Sequence, residues 1–272
     1  MKFLSGLDIG EKRKPQSGSF QKVVEEHLYS FRISTLPSIY KSESVVIRLL
    51  LQNSTISLHQ LSINPDVSKN LLELIELKQG LLLVTGATGS GKTTTLYSLI
   101  HYCTNELMRH VISLEDPVEQ TQERILQIQV NERAGVSYST GLKAILRHTP
   151  DVIMIGEIRD RETAQIALEA ALTGHLVVST VHAKDSVNCL YRLHDLGLSL
   201  EELRQALVGI VGQTLVEVND IDERKAMFEL LTGKNLQQAI HKMKQGVQFE
   251  LPKEQTLEGQ INMLELSLYE RS

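Results

Sequence analysis

The chain has 272 residues, 42% of them hydrophobic and 22% charged, with a net charge of -5. This is an ordinary globular composition, long enough for one large domain or two smaller ones. The acidic balance argues against a chain whose main work is gripping nucleic acid, and no apolar run approaches the roughly 18 residues of a membrane-spanning helix.

Taken in chain order, the first fifty residues read as β-rich. Gly18 to Val24, Leu28 to Thr35 (closed by Pro37) and Val45 to Leu51 are strand-like. "QNSTISLHQLSINPD", Gln52 to Asp66, is polar and turn-rich and is expected to be a linker. "VSKNLLELIELKQ" then has helical periodicity and ends at Gly80. "LLLVT", "HVISLED", "DVIMIGE" and "HLVVSTVH" are short apolar strands of the kind buried on both faces of a parallel sheet. Between them fall the helical stretches "TTTLYSLIHYCTNEL", "STGLKAILRHT" and "RETAQIALEAALTG", the last with Gly174 as its cap. This alternation predicts a mostly parallel sheet covered by helices on both faces. Near the end, "AMFELL" reads as a strand, "NLQQAIHKMKQG" as a helix, and Leu257, Ile261, Leu264 and Leu268 as one helix stripe. The resulting division is 1–52, a small N-terminal module; 53–66, a linker; 67–216, the α/β domain; and 217–272, a helical or mixed C-terminal subdomain. The two cysteines, Cys103 and Cys189, are far apart and belong to no CxxC pair, so neither a disulfide framework nor a structural zinc site is expected, and the setting is cytoplasmic.

Gly86, Gly91, Lys92 and Thr93 fit GxxxxGK[ST], with a buried strand directly before and a helix directly after. Glycines let the backbone turn tightly and aim successive N–H groups at phosphate oxygens, and the helix start adds its positive dipole end. The cradle is expected to comprise Gly86, Ala87, Thr88, Gly89, Ser90, Gly91, Lys92, Thr93 and Thr94, with Lys92 reaching the β- and γ-phosphates and the Thr93 hydroxyl on Mg²⁺. ATP and Mg²⁺ are the implied substrate and ion. A second acid belongs at the carboxyl end of a strand beside the phosphate-loop strand, and Glu157 after "VIMIG" fits it. It can reach the metal, directly or through water, and can orient and deprotonate a water for attack. Arg159 and Asp160 follow at once and can hold the loop by pairing.

These features, in this order, make the sequence recognisable. The loop Gly86 to Thr93, "SLEDPVE" (Ser113 to Glu119), "LRHTPDVIMIGEIRD" and "TGHLVVSTVHA" (Thr173 to Ala183) resemble the Walker A, Asp-box, Walker B and His-box motifs of the secretion and pilus-assembly ATPases. That superfamily includes type II secretion, type IV pilus and DNA-competence motors, and the resemblance runs from about Lys12 to Gln213. "LDIGEKRKPQSGSF" and the short length are most similar to the competence traffic ATPases of Gram-positive bacteria. The resemblance implies a RecA-like P-loop core preceded by a PAS-like α+β module, expected to be incomplete because family members carry more chain before "LDIGEKRK".

Carried over residue by residue, the resemblance makes Glu157 the general base and Glu119 a group positioning water and metal. Arg32 and Arg48 of the N-terminal module become the guanidinium groups that close on the nucleotide. Of the two His-box histidines, His175 opens the strand and His182 closes it, about 23 Å apart at roughly 3.3 Å per residue. Only the carboxyl end faces the nucleotide, so His182 is the candidate γ-phosphate sensor and His175 a structural or interfacial residue. The resemblance further implies a homohexamer acting on a polytopic inner-membrane platform protein, peripheral to the membrane and without direct nucleic-acid contact, powering a competence pseudopilus for DNA uptake. Type II secretion or pilus extension and retraction motors, a DNA-translocating RecA-like ATPase and a non-hydrolysing scaffold are the alternatives. The family's four-cysteine zinc insert is absent, its Gln-Arg-Leu becomes Gln213, Thr214 and Leu215, and the C-terminal motif of retraction motors is not apparent.

Overall fold

The β-rich runs at the front of the chain form an antiparallel meander, and the continuous apolar runs that follow form a parallel sheet. The computed structural model describes residues 1–40, 42–52, 56–218 and 224–269. The chain divides into two compact units, Met1–Ser54 with Pro117–Glu123, and Thr55–Asp116 with Arg124–Ser272.

The smaller unit holds strands β1 (Gln16–Val24), β2 (His27–Pro37) and β3 (Glu43–Leu51), paired in that order. Among its described residues there is no helix. The β1–β2 turn is the two-residue Glu25–Glu26, both with positive φ (49° and 67°), the backbone that matches the twist of a hairpin. Ile33 and Thr35 on β2 are buried. The segment Pro117–Glu123, expected in the nucleotide-binding domain, joins this unit instead, and the buried Gln52 carboxamide explains why. Its Nε2 donates to the Glu119 carbonyl at 2.9 Å and its Oε1 accepts from the Thr121 amide at 3.1 Å.

The larger unit is built on a seven-stranded sheet in the order β10-β9-β4-β8-β7-β5-β6. Its strands are β4 (Gly80–Thr85), β5 (Val111–Glu115), β6 (Ile125–Gln129), β7 (Val152–Ile155), β8 (Leu176–Val181), β9 (Leu207–Glu217) and β10 (Arg224–Thr232). All neighbours are parallel except the β9–β10 pair. Helices α1 (Leu58–Leu61), α2 (Pro65–Ile75), α3 (Lys92–Asn105), α4 (Tyr138–Ile145), α5 (Arg161–Leu172), α6 (Ser186–Asp195), α7 (Leu200–Ala206), α8 (Gly233–Lys244) and α9 (Leu257–Tyr269) complete the unit.

The period of two along each strand sorts the core into two layers. Leu82, Val84, Met154 and Val178 pack with α2 and α3, whereas Leu81, Leu83, Ile153, Ile155 and Val177 pack with α4 to α8. The sequence places Glu157's strand beside the phosphate-loop strand; in the structure β8 lies between β4 and β7. The expected linker also carries structure beyond its first three residues, 53–55, which lie outside the described residues. Ser57 caps α1, Leu58 is buried, and the Ile56 carbonyl accepts from Ser98 Oγ on α3 at 2.5 Å. Residues 217–272 do not stand apart as a subdomain either. β10 is hydrogen-bonded along β9, and Ala226 bridges back to Ser62.

Candidate nucleotide site

Parallel pairing puts the carboxyl ends of β4, β5, β7, β8 and β9 along one edge of the sheet, and the motif residues of the larger unit emerge there. The loop between β4 and α3 turns through three glycines with positive φ: Gly86 (149°), Gly89 (83°) and Gly91 (84°). Gly91 is the N-cap of α3 in the left-handed region, which a side chain would strain. Lys92 is buried, and its Nζ donates to the carbonyls of Gly86 (2.9 Å) and Ala87 (2.8 Å), so the lysine closes the loop on itself. Burial holds its ammonium below the usual lysine value, and the charge of Glu157 opposes that shift. Ala87, Thr88 and Gly89 are exposed at the tip, Ser90 is buried, and Thr93 and Thr94 stand on the first turn of α3.

Glu157 follows Gly156 at the end of β7. One carboxylate oxygen accepts from Arg159 Nε at 2.7 Å, and the other lies 3.2 Å from His182 Nε2. The Glu157 side chain is 13% exposed against 53% for His182, so the acid sits inside and the imidazole outside. Arg159 therefore pairs as the sequence suggests, but Asp160 does not join it. Asp160 caps α5, accepting from the amide and the hydroxyl of Thr163 at 2.8 and 2.9 Å. His175 is at the other end of β8, its Nδ1 3.2 Å from the Ala170 carbonyl oxygen.

Several residues to which the sequence reading assigns no role hold this edge. Thr180 Oγ1 donates to the Gly156 carbonyl (2.8 Å) and its own carbonyl accepts from the Ile158 amide (2.9 Å), which straps the loop carrying Glu157. Thr85 Oγ1 accepts from the Ala183 amide (3.0 Å) and donates to the Ala183 carbonyl (3.1 Å), which straps the loop after His182. Gln213 Nε2 donates to the Ser90 carbonyl at 2.7 Å. Glu115, buried at the end of β5, accepts from Tyr97 on α3, from Ser113 at 2.6 Å and from Gln127 at 3.1 Å. The only signal for the threonines is a hydroxyl near the carboxyl end of a buried, mostly aliphatic strand.

In the smaller unit, Arg32 and Arg48 are direct cross-strand partners on β2 and β3. Two like charges side by side on one face disfavour the sheet unless an anion meets them. Arg48 is exposed, Arg32 half-buried, and neither makes an ion pair among the described residues. Glu119 lies half-buried in the segment that joins the same unit. Among the described residues no helix is long and apolar enough to cross a membrane.

The family model for type II/IV secretion system proteins matches residues 1–272. The chain belongs to that family. Among its relatives in the type II/IV secretion family, the competence protein ComGA of Bacillus subtilis strain 168 is 47% identical over 259 residues, covering 89% of this chain and 72% of the relative. The type II secretion system protein E of Escherichia coli K12, a protein named as putative, is 48% identical over 217 residues, covering 79% of this chain but 44% of the relative. The crystal structure of the pilus retraction motor PilT with bound ADP superposes with a TM-score of 0.72 at 30% identity, covering 87% of this chain and 71% of that one. The fold is the P-loop α/β core of these secretion and competence ATPases, preceded by a small antiparallel domain, and the protein is an ATPase of that family.

Proposed function

We propose that the protein is a homohexameric motor that hydrolyses ATP at the carboxyl edge of its parallel sheet to drive assembly of a competence pseudopilus for DNA uptake. The contact between Glu157 and His182 carries this reading: a carboxylate held by Arg159 and 3.2 Å from an imidazole, with its charge felt at the phosphate-loop lysine. In this scheme the cradle Gly86 to Thr94 binds the triphosphate, Lys92 turns from its own loop carbonyls to phosphate oxygens, and Glu157 takes the proton of the attacking water. His182, partly exposed beside it, reads the γ-phosphate. Thr93 on the first turn of α3 and Glu157 at the end of β7 are suitable oxygen donors for Mg²⁺, which when bound would neutralise phosphate charge. Glu119 orients the water and metal from its own segment.

The adjacent pair Arg32 and Arg48, without an ion-pair partner among the described residues, supports a role as guanidinium groups that meet the nucleotide, so that hydrolysis becomes motion of one domain against the other in a ring. Work would pass to a polytopic platform protein in the inner membrane, placing the ATPase in the cytoplasm and peripheral to the membrane, without direct contact to DNA. A second reading, a type II secretion or pilus motor with the same chemistry, is favoured by the 48% identity to the type II secretion protein E.

The test combines assembly and turnover. Full-length protein with ATP and Mg²⁺ is expected to elute as a hexamer, and Arg32→Ala with Arg48→Ala is expected to lower kcat about a thousandfold. A chain that stays monomeric while the double variant turns over normally would remove the ring and the arginine roles. ATPase activity stimulated by DNA through a salt-sensitive complex would instead favour a DNA translocase.

A further inference from the structure

The phosphate loop is backed by a residue from a strand far away in sequence. Gln213 lies on β9, one step past the Thr85–Gly212 pairing, and is only 2% exposed. It approaches the loop in two places. A Cβ on Gly86 would fall 2.3 Å from the Gln213 carbonyl oxygen, and a Cβ on Gly91 would fall 3.0 Å from Gln213 Nε2. Gly86 is therefore required not only for its backbone angles but also because the Gln213 main chain occupies the space behind it, and Gly91 is closely approached by the Gln213 side chain. Between those glycines, the Nε2 donates to the Ser90 carbonyl at 2.7 Å in a buried hydrogen bond. The other carboxamide atom, Oε1, is buried with no partner among the described residues, and neither has Ser90 Oγ.

The Ser90 carbonyl belongs to the peptide plane that ends in the Gly91 N–H. In a trans peptide the two groups point to opposite sides. A donor drawing the carbonyl toward β9 turns the N–H away from β9. The orientation of that N–H is what a loop of this type uses to receive phosphate oxygens.

We propose that Gln213 is a positioning residue for nucleotide binding: its carboxamide fixes the Ser90–Gly91 peptide so that the loop is formed before the phosphates arrive. The inference rests on the reading that Gly86 to Thr93 holds the triphosphate. Gln213 touches no phosphate itself; it acts through the backbone of its neighbour. A loop pre-set in this way spends less binding energy on ordering itself, so losing the clamp weakens nucleotide binding more than it slows the bound complex.

Equilibrium titration of the full-length protein with a fluorescent ATP analogue and Mg²⁺ tests it, alongside steady-state turnover and melting without nucleotide. Gln213→Met keeps the size and removes the donor; its Kd and KM should rise about tenfold with kcat changed less than about threefold, as expected for one buried hydrogen bond. Gln213→Glu should bind poorly at pH 8, where a carboxylate would face the Ser90 carbonyl. It should recover toward wild-type affinity near pH 5.5, where a carboxyl group made less acidic by burial regains its proton and the ability to donate. A cavity or packing defect gives no such recovery. Gln213→Met binding within twofold of wild type, or Gln213→Glu equally weak at both pH values relative to wild type, overturns the proposal. If Gln213→Met fails to melt cooperatively, the pH response of Gln213→Glu decides. Lys92→Ala separates the two readings: loss of binding there with normal binding in the Gln213 variants leaves the phosphate loop standing and removes the clamp, whereas normal binding in Lys92→Ala removes the loop reading itself.

Discussion

The two ends of β8 carry the same residue type in opposite circumstances. At the amino end, His175 spends its Nδ1 on the Ala170 carbonyl, and its own carbonyl accepts from the Gly80 amide. At the carboxyl end, His182 faces the Glu157 carboxylate from a position half open to solvent. The same asymmetry holds across the sheet. At the amino edge, Asp151 accepts from the His110 amide at 2.7 Å, so its charge is used to terminate main chain. At the carboxyl edge, the Glu157 carboxylate meets the side chains of Arg159 and His182. A parallel sheet concentrates loop N–H groups and helix starts at one edge, and that edge gathers the reactive groups while the other is closed by backbone hydrogen bonds.

The hardest test of this contrast is Glu157→Gln. The substitution keeps the shape and removes the proton acceptor, so kcat should fall about a hundred- to ten-thousand-fold while the fluorescent nucleotide still binds. Turnover within threefold of wild type would move the base elsewhere. The histidine pair gives the next effect. His182→Ala should lower kcat about tenfold to a hundredfold, and His175→Ala should leave kcat within about twofold while lowering Tm by a few degrees for the lost half-buried hydrogen bond. Equal kinetic losses in both would erase the distinction between the edges. Smaller again is Thr180→Val, which removes the strap on the Gly156 carbonyl. We expect about 1 kcal/mol less stability in urea and a severalfold loss in kcat, because the loop holding Glu157 loosens.

What could be read in advance follows the same division. β4, β7 and β8 are uninterrupted aliphatic runs, legible because strands buried on both faces need no polar alternation. β9 is not legible in the sequence because Gly209 and Gly212 interrupt it. Both are close-packing positions: a Cβ on Gly209 would meet Thr232, Leu74 and Leu82 at 3.0 to 3.3 Å, and one on Gly212 would meet Glu229 at 3.3 Å. The edge strand β6 is not legible either, because its half-exposed "ILQIQ" lacks a continuous apolar run. Of the site, the phosphate loop and Glu157 are local motifs, whereas Gln213 and the threonine straps exist only through pairing of distant strands. The place of Pro117–Glu123 with the small unit was equally out of reach, since it depends on the Gln52 side chain 67 residues earlier.

The two cysteines offer the finest probe of the contrast. Cys189, in α6 just past the strapped Ala183 loop, and Cys103, near the far end of α3, are both fully buried, and burial pushes each thiol up to about 12. At pH 8 the thiolate fraction is then about one in ten thousand, so a disulfide reagent reaches either only when the structure opens. The sign of the linkage is fixed. An unfolded thiol ionises near its ordinary value while the folded one keeps its proton, so this contribution to stability is complete below pH 9 and is lost as pH rises toward 12. Below that window, labelling rates report opening alone. Nucleotide bound at the carboxyl edge should slow labelling of Cys189 severalfold and leave Cys103 nearly unchanged, measured in the single-cysteine variants Cys103→Ala and Cys189→Ala. Equal protection of both thiols would mean that the larger unit opens as one body and that the two edges, however different their chemistry, share a single stability.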